Sequence, residues 1–128
     1  MIGPPRARDD AGAAVVDFVL ISVLLTFLFL ALVQLCIVLY VRNLLVASAA
    51  EGARYGANAN LTATDAKSKT EAIVARGMTG RITSVVQSAE SAGLVQVDVT
   101  APIPLFGLFA PAQTLTLHVT GHAVAEGR

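Results

Sequence analysis

The residue of this sequence that most clearly suggests a chemical role is an acid at the start of a long apolar stretch. Asp17 follows the run Gly12-Ala-Ala-Val-Val and directly precedes Phe18. Burying an unpaired carboxylate at the centre of a bilayer costs about 2.5–3.5 kcal/mol on insertion scales, and less near the edge. Asp17 is then either an interfacial acid favoured by the helix dipole or the partner of a cation. Cleavage after Gly12 would supply a cation as the new amine of Ala13, on the same chain or on a neighbour.

The other residues with reactive side chains occur outside any recognisable motif. His118 and His122 are four positions apart, so on a strand they share a face at about 13 Å, which is too far for one metal ion. We expect both to face solvent, and we interpret the single cysteine, Cys36, as a small buried apolar residue that makes no internal disulfide. No serine or cysteine has a histidine and an acid at motif spacing. We therefore predict a protein that is not an enzyme and has no catalytic residue, metal ligand or cofactor.

The apolar stretch around these residues predicts a helix that crosses a membrane. No charged residue occurs from Phe18 to Val41, and about 20 apolar residues in a helix span a hydrocarbon core of about 30 Å. We expect a polar leader over residues 1–12, a transmembrane helix over 13–41 and a continuation of that helix outside the membrane over 42–57. The prolines and glycines of the leader predict that it forms no stable helix.

Small residues recur at three- and four-residue spacing in the predicted continuation of the helix. They are Ala49, Gly52, Ala53 and Gly56. This spacing places them on one helix face, where the absence of bulk allows another element to approach closely. We predict that this face packs against a helix.

Residues 58–128 have the patterning of a small α+β head. A second helix is predicted over Thr64–Met78, with Thr62 or Thr64 as its cap. Period-two alternation predicts half-buried antiparallel strands. The predicted strands are Ile82–Gln87, Leu94–Ala101 and Thr114–Thr120, and Pro102–Pro111 is predicted as an apolar loop. Three short strands and one helix are marginal alone, so we expect Val97 and Leu117 to be buried against the long helix.

Several stretches, taken in order, resemble one family. Gly12, Ala13, Asp17 and Phe18 resemble the signal of type IV pilin-like proteins, in which a glycine ends the leader. Their continuation resembles the TadE-like minor pseudopilins of the tight-adherence (Flp, type IVb) pilus system. Ala49-Ala-Glu-Gly-Ala-Arg-Tyr-Gly-Ala resembles the family's segment beyond the membrane. The tail that ends in Thr120-Gly-His-Ala-Val resembles that of its actinobacterial members.

The resemblance implies a pilin-like α+β fold and a role in assembling Flp pilus fibres, either within the fibre or only during its assembly. It implies cleavage after Gly12 by a prepilin peptidase. The other implied partners are an Flp-type major pilin, other pseudopilins, the inner-membrane assembly platform and membrane lipid. The implied location is the bacterial cytoplasmic membrane, crossed once, with the head extracytoplasmic. The family usually has glutamate at the position of Asp17, whose side chain is one methylene shorter.

Two other interpretations predict different mature N-termini. A signal peptide cleaved after Ala47-Ser48-Ala49 would release a secreted protein that begins at Ala50, although the apolar run is longer than the roughly 7–15 residues of a signal-peptide core. An uncleaved anchor presenting a small binding domain would keep Met1. Nucleic acid is not an expected partner, because 9 basic residues balance 9 acidic ones and nucleic-acid binding needs a positive surface.

Overall fold

A computed structural model of the protein describes residues 7–78, 83–105 and 113–125, with side chains for residues 12–78, 83–104 and 114–125. The elements in chain order are helices α1 (Ala7–Gly56) and α2 (Ala63–Gly77) and strands β1 (Val85–Ser91), β2 (Leu94–Leu105) and β3 (Gln113–Val124). The strands form one antiparallel sheet in the order β1-β2-β3. The predicted α+β class, with a long apolar N-terminal helix, a second helix and a three-stranded sheet, is confirmed.

The chain divides into two compact units, Met1–Cys36 and Ile37–Arg128. The domain boundaries predicted at residues 12, 41 and 57 follow a different criterion, the expected position of a membrane, and they stay predictions.

Helix α1 begins earlier than the sequence predicts. Residues 7–12 are helical, so the prediction that the leader forms no stable helix is wrong for this part of it. The two prolines lie before Ala7 and do not interrupt the helix. The penalty of about 1 kcal/mol for a helical glycine at Gly12 does not stop a helix already nucleated by the apolar residues that follow.

The core of the second unit is built on one stripe of α1. The buried residues of this stripe are Val41, Leu45, Ser48, Ala49, Gly52, Ala53 and Gly56, and Ala57 directly after the helix is buried with them. Their spacing of mostly three or four residues keeps them on one helix face. Ala66, Thr70 and Val74 from α2 and the inner side chains of the sheet complete the same buried set. The sheet therefore does not rely on its own strands for a core.

A capping box fixes the start of α2. The Thr62 hydroxyl accepts a hydrogen bond from the Asp65 backbone N–H at 3.4 Å, and the Asp65 carboxylate accepts one from the Thr62 N–H at 2.8 Å. Thr62 is thus the cap, one of the two predicted candidates, and the helix bounds agree with prediction to one residue. Hydrogen bonds from the Thr62 side chain and then its backbone lower the pKa of Asp65.

A two-residue turn joins β1 to β2 and sets the extent of β1. Ala92 and Gly93 both have positive φ, 51° and 75°, as a type I′ hairpin turn requires. The pairing of Ser91 with Leu94 closes this hairpin. The prediction of Ile82–Gln87 for the first strand is wrong at both ends. The strand begins at Val85, after Thr83 and Ser84, and pairing across the hairpin extends it beyond Gln87 to Ser91. Ile82 lies outside the described residues.

Strand β2 extends into the segment predicted as an apolar loop. Pro102 and Pro104 pair with Thr116 and Thr114 of β3, so the loop prediction is wrong for residues 102–105, while residues 106–112 lie outside the described part. β1 begins at Val85, which pairs with Thr100. Beyond Thr100, β3 is the one described strand that pairs with β2. One side of β2 then needs no N–H donors, so the sheet tolerates proline there.

The face of β2 that is buried in the structure is the face that the sequence predicts to be buried. Val95, Val97, Val99 and Ala101 are all fully buried. Leu117 is half-buried against the core, so its predicted burial is partial.

One glycine permits the sheet to lie directly on α1. A Cβ on Gly121 of β3 would come within 2.5 Å of the carbonyl of Ala49. Real Cβ atoms are essentially never that close to backbone atoms. The backbones of β3 and α1 are therefore in contact at this point, and the sheet depends on the helix for its support.

We expect the fragment 58–128 not to fold by itself, because it lacks the α1 stripe that covers the inner face of the sheet. The matched fragment 37–128, which keeps the stripe, should melt cooperatively. Thermal melts by circular dichroism and amide dispersion in NMR spectra measure both. Cooperative melting of 58–128 with well-dispersed amides would contradict this dependence.

Candidate functional site

The residues predicted to form the processing site lie on an exposed apolar stretch of α1. Gly12–Gly56 contains a stretch long and apolar enough to cross a membrane, and none of that stretch is buried. Phe18 is 72% exposed. Asp17 is exposed as well, and the described side chains place no cation against it. Asp17 and Ala13 are four residues apart in α1, which puts them one turn apart on the same face of the helix.

Gly12 differs from the other helical glycines in its surroundings. A Cβ built on Gly12 meets no heavy atom within 4 Å among the described residues. Packing in the described structure therefore gives no reason for glycine at this position, and the helix would be more stable with alanine there.

Two polar side chains of the apolar stretch are satisfied by the helix itself. The Ser22 hydroxyl donates to the Phe18 carbonyl at 2.7 Å, and the Thr26 hydroxyl donates to the Ser22 carbonyl at 2.8 Å. Such bonds let a hydroxyl enter an apolar medium without another partner. Asp17 has no comparable hydrogen bond among the described residues, so its carboxylate would need a partner from elsewhere in an apolar medium.

The small residues predicted to pack against a helix lie in the core stripe. A Cβ on Gly52 would collide with the Thr70 side chain of α2, and one on Gly56 would lie 2.5 Å from the Cβ of Ala66. The Thr70 hydroxyl donates to the Ala66 carbonyl at 2.8 Å, so its burial leaves no polar atom unpaired. Ala53 is fully buried, and Ala49 lies against Gly121 of β3. This face is thus occupied by elements of the same chain.

The outer face of the sheet carries a polar cluster that the sequence alone did not reveal. The Thr120 hydroxyl donates to one carboxylate oxygen of Asp98 at 2.6 Å, and the Gln96 amide donates to the other at 2.9 Å. Asp98 pairs with Thr120 across the β2–β3 register. The alternation of the sequence predicts that Asp98 and Thr120 both lie on the polar face of the sheet. Only the pairing register of β2 with β3 shows that these two residues, 22 apart in the sequence, lie side by side.

The hydrogen bond from Thr120 is the main cause that lowers the pKa of Asp98 below its ordinary value. The bond from Gln96 and the positive charges of His118 and His122 act in the same direction, whereas partial burial opposes them. Both histidines are exposed, as predicted. Within the described residues there is no group of three metal-ligating side chains.

Cys36 is exposed on α1, so its predicted burial is wrong. It lies in the unit Met1–Cys36, where the apolar side chains of α1 are largely exposed.

Residues 12–54 match the family model of the TadE-like proteins. The resemblance inferred from the sequence is confirmed over these residues. The TadE-like segment begins at Gly12, includes Asp17 and the exposed apolar part of α1, and ends at Arg54, in the part of α1 that also carries the core stripe. Helix α2 and the sheet lie outside it. Neither a curated protein nor a solved structure matches the chain.

The Asp98 cluster predicts a pH-dependent stability. Because folding lowers the pKa of Asp98, its contribution is fully present above the unfolded-state value of about 3.9 and is lost as the pH falls through the folded-state value. Asp98→Asn should therefore lower Tm at neutral pH, and the difference from the parent should shrink on acidification. Thr120→Val should behave similarly, whereas Thr120→Ser keeps the donor and the parent profile. Tm profiles of Asp98→Asn and the parent that run parallel down to pH 2 would contradict this account.

Proposed function

We propose that the protein is a TadE-like minor pseudopilin that takes part in assembling tight-adherence (Flp, type IVb) pili and is matured by a prepilin peptidase. The observation that carries the proposal is the match of residues 12–54 to a family associated with the Tad pilus, a structural rather than enzymatic family. The match begins at Gly12, where the polar leader was predicted to end. The long apolar α1 indicates a single-pass membrane anchor.

Cleavage between Gly12 and Ala13 is the first step of this proposal. The surroundings of Gly12 are open, so nothing in the described packing requires a glycine there. A missing side chain does benefit a protease, because an extended substrate backbone can then approach the catalytic groups closely. The low helix propensity of glycine also lowers the free energy needed to unwind α1 at the cleaved bond.

Cleavage would leave an ammonium group on Ala13, one helical turn from the Asp17 carboxylate. The pair forms within one chain or between neighbouring chains, and an intermolecular pair holds two helices at one axial register. A low dielectric strengthens the attraction, while desolvation of both charges opposes it. The register of the helices is therefore the main consequence of the pair, and the neighbours it aligns would be the Flp-type major pilin and other pseudopilins.

The structure disfavours maturation after Ala49, the signal-peptide alternative. A protein that begins at Ala50 would lose Leu45 and Ala49, both of which are fully buried in the core. Removing a buried leucine alone typically costs about 2–5 kcal/mol. In the proposed arrangement the whole core stripe stays attached to the membrane-spanning segment, and the head would be extracytoplasmic and the leader cytoplasmic.

Gly12→Leu should trap the precursor, because the leucine side chain obstructs the approach of the protease. Gly12→Ala adds only a methyl group and is the matched control, with a smaller defect. Immunoblots of membranes from a strain with an active prepilin peptidase measure the precursor, and N-terminal sequencing of the parent should begin at Ala13. Normal maturation of Gly12→Leu, or a parent that begins at Met1 or Ala50, would refute processing at this bond.

Asp17→Ala should leave membrane insertion intact or improve it, because it removes a charge from the apolar stretch, yet it should reduce pilus assembly. Asp17→Glu keeps the charge and restores the usual family residue, so it should be tolerated. Co-purification with the major pilin and the inner-membrane assembly proteins is measured together with pilus counts. If Asp17→Ala recovers partners and assembles pili as well as the parent, Asp17 is only an acid favoured by the helix dipole.

A further inference from the structure

Helix α2 runs antiparallel to α1, so its C-terminal end lies beside Leu44. Near the start of α2, Ala66 lies against Gly56 of α1, and at its end Gly77 lies against the Leu44 side chain. Contacts that move backward along α1 as α2 advances define an antiparallel pair. Leu44 is three residues after Val41, so the end of α2 lies about 4.5 Å along the α1 axis from the last residue of the uncharged stretch.

Around Val41, the sides of α1 have different surroundings. Val41 is 4% exposed, and Val38 is packed against the core. In contrast, Leu39 and Tyr40 are 46% and 61% exposed. A leucine and a tyrosine side by side suit the interface of a bilayer, where an apolar body lies in lipid and a hydroxyl reaches water. The folded unit therefore covers one side of α1 at a level where another side is suited to lipid.

The charged residues at this end of the two helices are both basic. Arg42 follows the exposed apolar residues of α1, and Arg76 lies in the last turn of α2. Both arginines are exposed. Residues 37–50, and residues 72–78 at the end of α2, contain no aspartate or glutamate. The guanidinium group of Arg76 also offsets the negative end of the α2 dipole, so this end of the helix pair favours an anionic surface.

We propose that this end of the helix pair, with Arg42 and Arg76, docks on the headgroups of anionic phospholipids. Since the docking rests on the single-pass anchor of the proposed function, it adds that no spacer separates the head from the membrane surface. With the hydrocarbon boundary at Tyr40, a headgroup layer of about 5–7 Å contains the end of α2. The two guanidinium groups bind phosphate oxygens there, while Leu39 and Tyr40 stay in contact with lipid.

Fluorescence quenching of the full-length chain in vesicles tests the position of α2. In a Cys36→Ser background, Ala75→Cys and Ser68→Cys each carry a fluorophore. Both positions are exposed and lie on one face of α2, with Ser68 two turns farther from the C-terminal end. In vesicles of phosphatidylcholine and phosphatidylglycerol, a lipid with a spin-labelled headgroup should quench the label at position 75 severalfold more strongly. Equal quenching of the two labels overturns the proposal.

Charge variants of the Ala75→Cys chain test the recognition of anionic lipid. Arg76→Gln should reduce the ratio of docked to undocked heads about fivefold in vesicles that contain phosphatidylglycerol. It should have little effect in phosphatidylcholine alone. Lys67→Gln is the matched control, because it removes the same charge from an exposed side chain in the other half of α2, and it should leave the ratio unchanged. An Arg76→Gln ratio equal to that of the parent, or an equal loss in Lys67→Gln, overturns the proposal.

A fluorophore on the native Cys36 separates the docking from the anchor on which it rests. Cys36 is exposed in the apolar stretch of α1, so a quencher attached to lipid acyl chains should quench its label whether or not the head docks. Quenching at Cys36 without quenching at position 75 overturns the docking and leaves the anchor in place. Absence of quenching at both positions overturns the anchor and the docking together.

Discussion

Contact between backbones along one stripe of α1 is the constraint on which the folded unit depends. Gly52 and Gly56 bring α2 onto this stripe, and Gly121 brings β3 onto it. A single-layer sheet cannot shield its own apolar face from water, so its inner valines must be covered by another element. The covering element here is a helix whose facing residues are mostly alanine, glycine and serine. Because packing is tight, these positions accept little added volume.

Nearer its N-terminus, α1 has different surroundings. There the apolar side chains are exposed, and the hydroxyls of Ser22 and Thr26 are bonded to the helix backbone. Such a surface is suited to lipid, and it offers a neighbouring helix few polar groups to recognise. Asp17 is the exception. In the proposed function this carboxylate selects a partner and an axial position, while the rest of the exposed stretch supplies anchorage without specificity.

The two faces and the two edges of the sheet have different roles. The inner face is buried on the helices, and the outer face holds the Asp98 carboxylate between the Thr120 and Gln96 side chains. The prolines of β2 lie where that strand extends beyond β1. β3 contains no proline, and no described strand lies on the side of it that faces away from β2.

Local patterning in the sequence was sufficient to predict both helices and the three strands, though not all of their bounds, and to propose the candidate processing site. Uninterrupted apolar residues predicted α1, period-two alternation predicted which face of β2 is buried, and Gly12 with Asp17 led to the TadE-like family. These features depend on neighbours within a few positions, which the sequence displays directly. Only the tertiary structure decided that Pro102 pairs within the sheet, because that depends on where β1 begins. It also decided that Asp98 meets Thr120 and that Gly121 lies on Ala49, because strand register and the approach of the sheet to α1 are set by contacts between residues far apart in the chain.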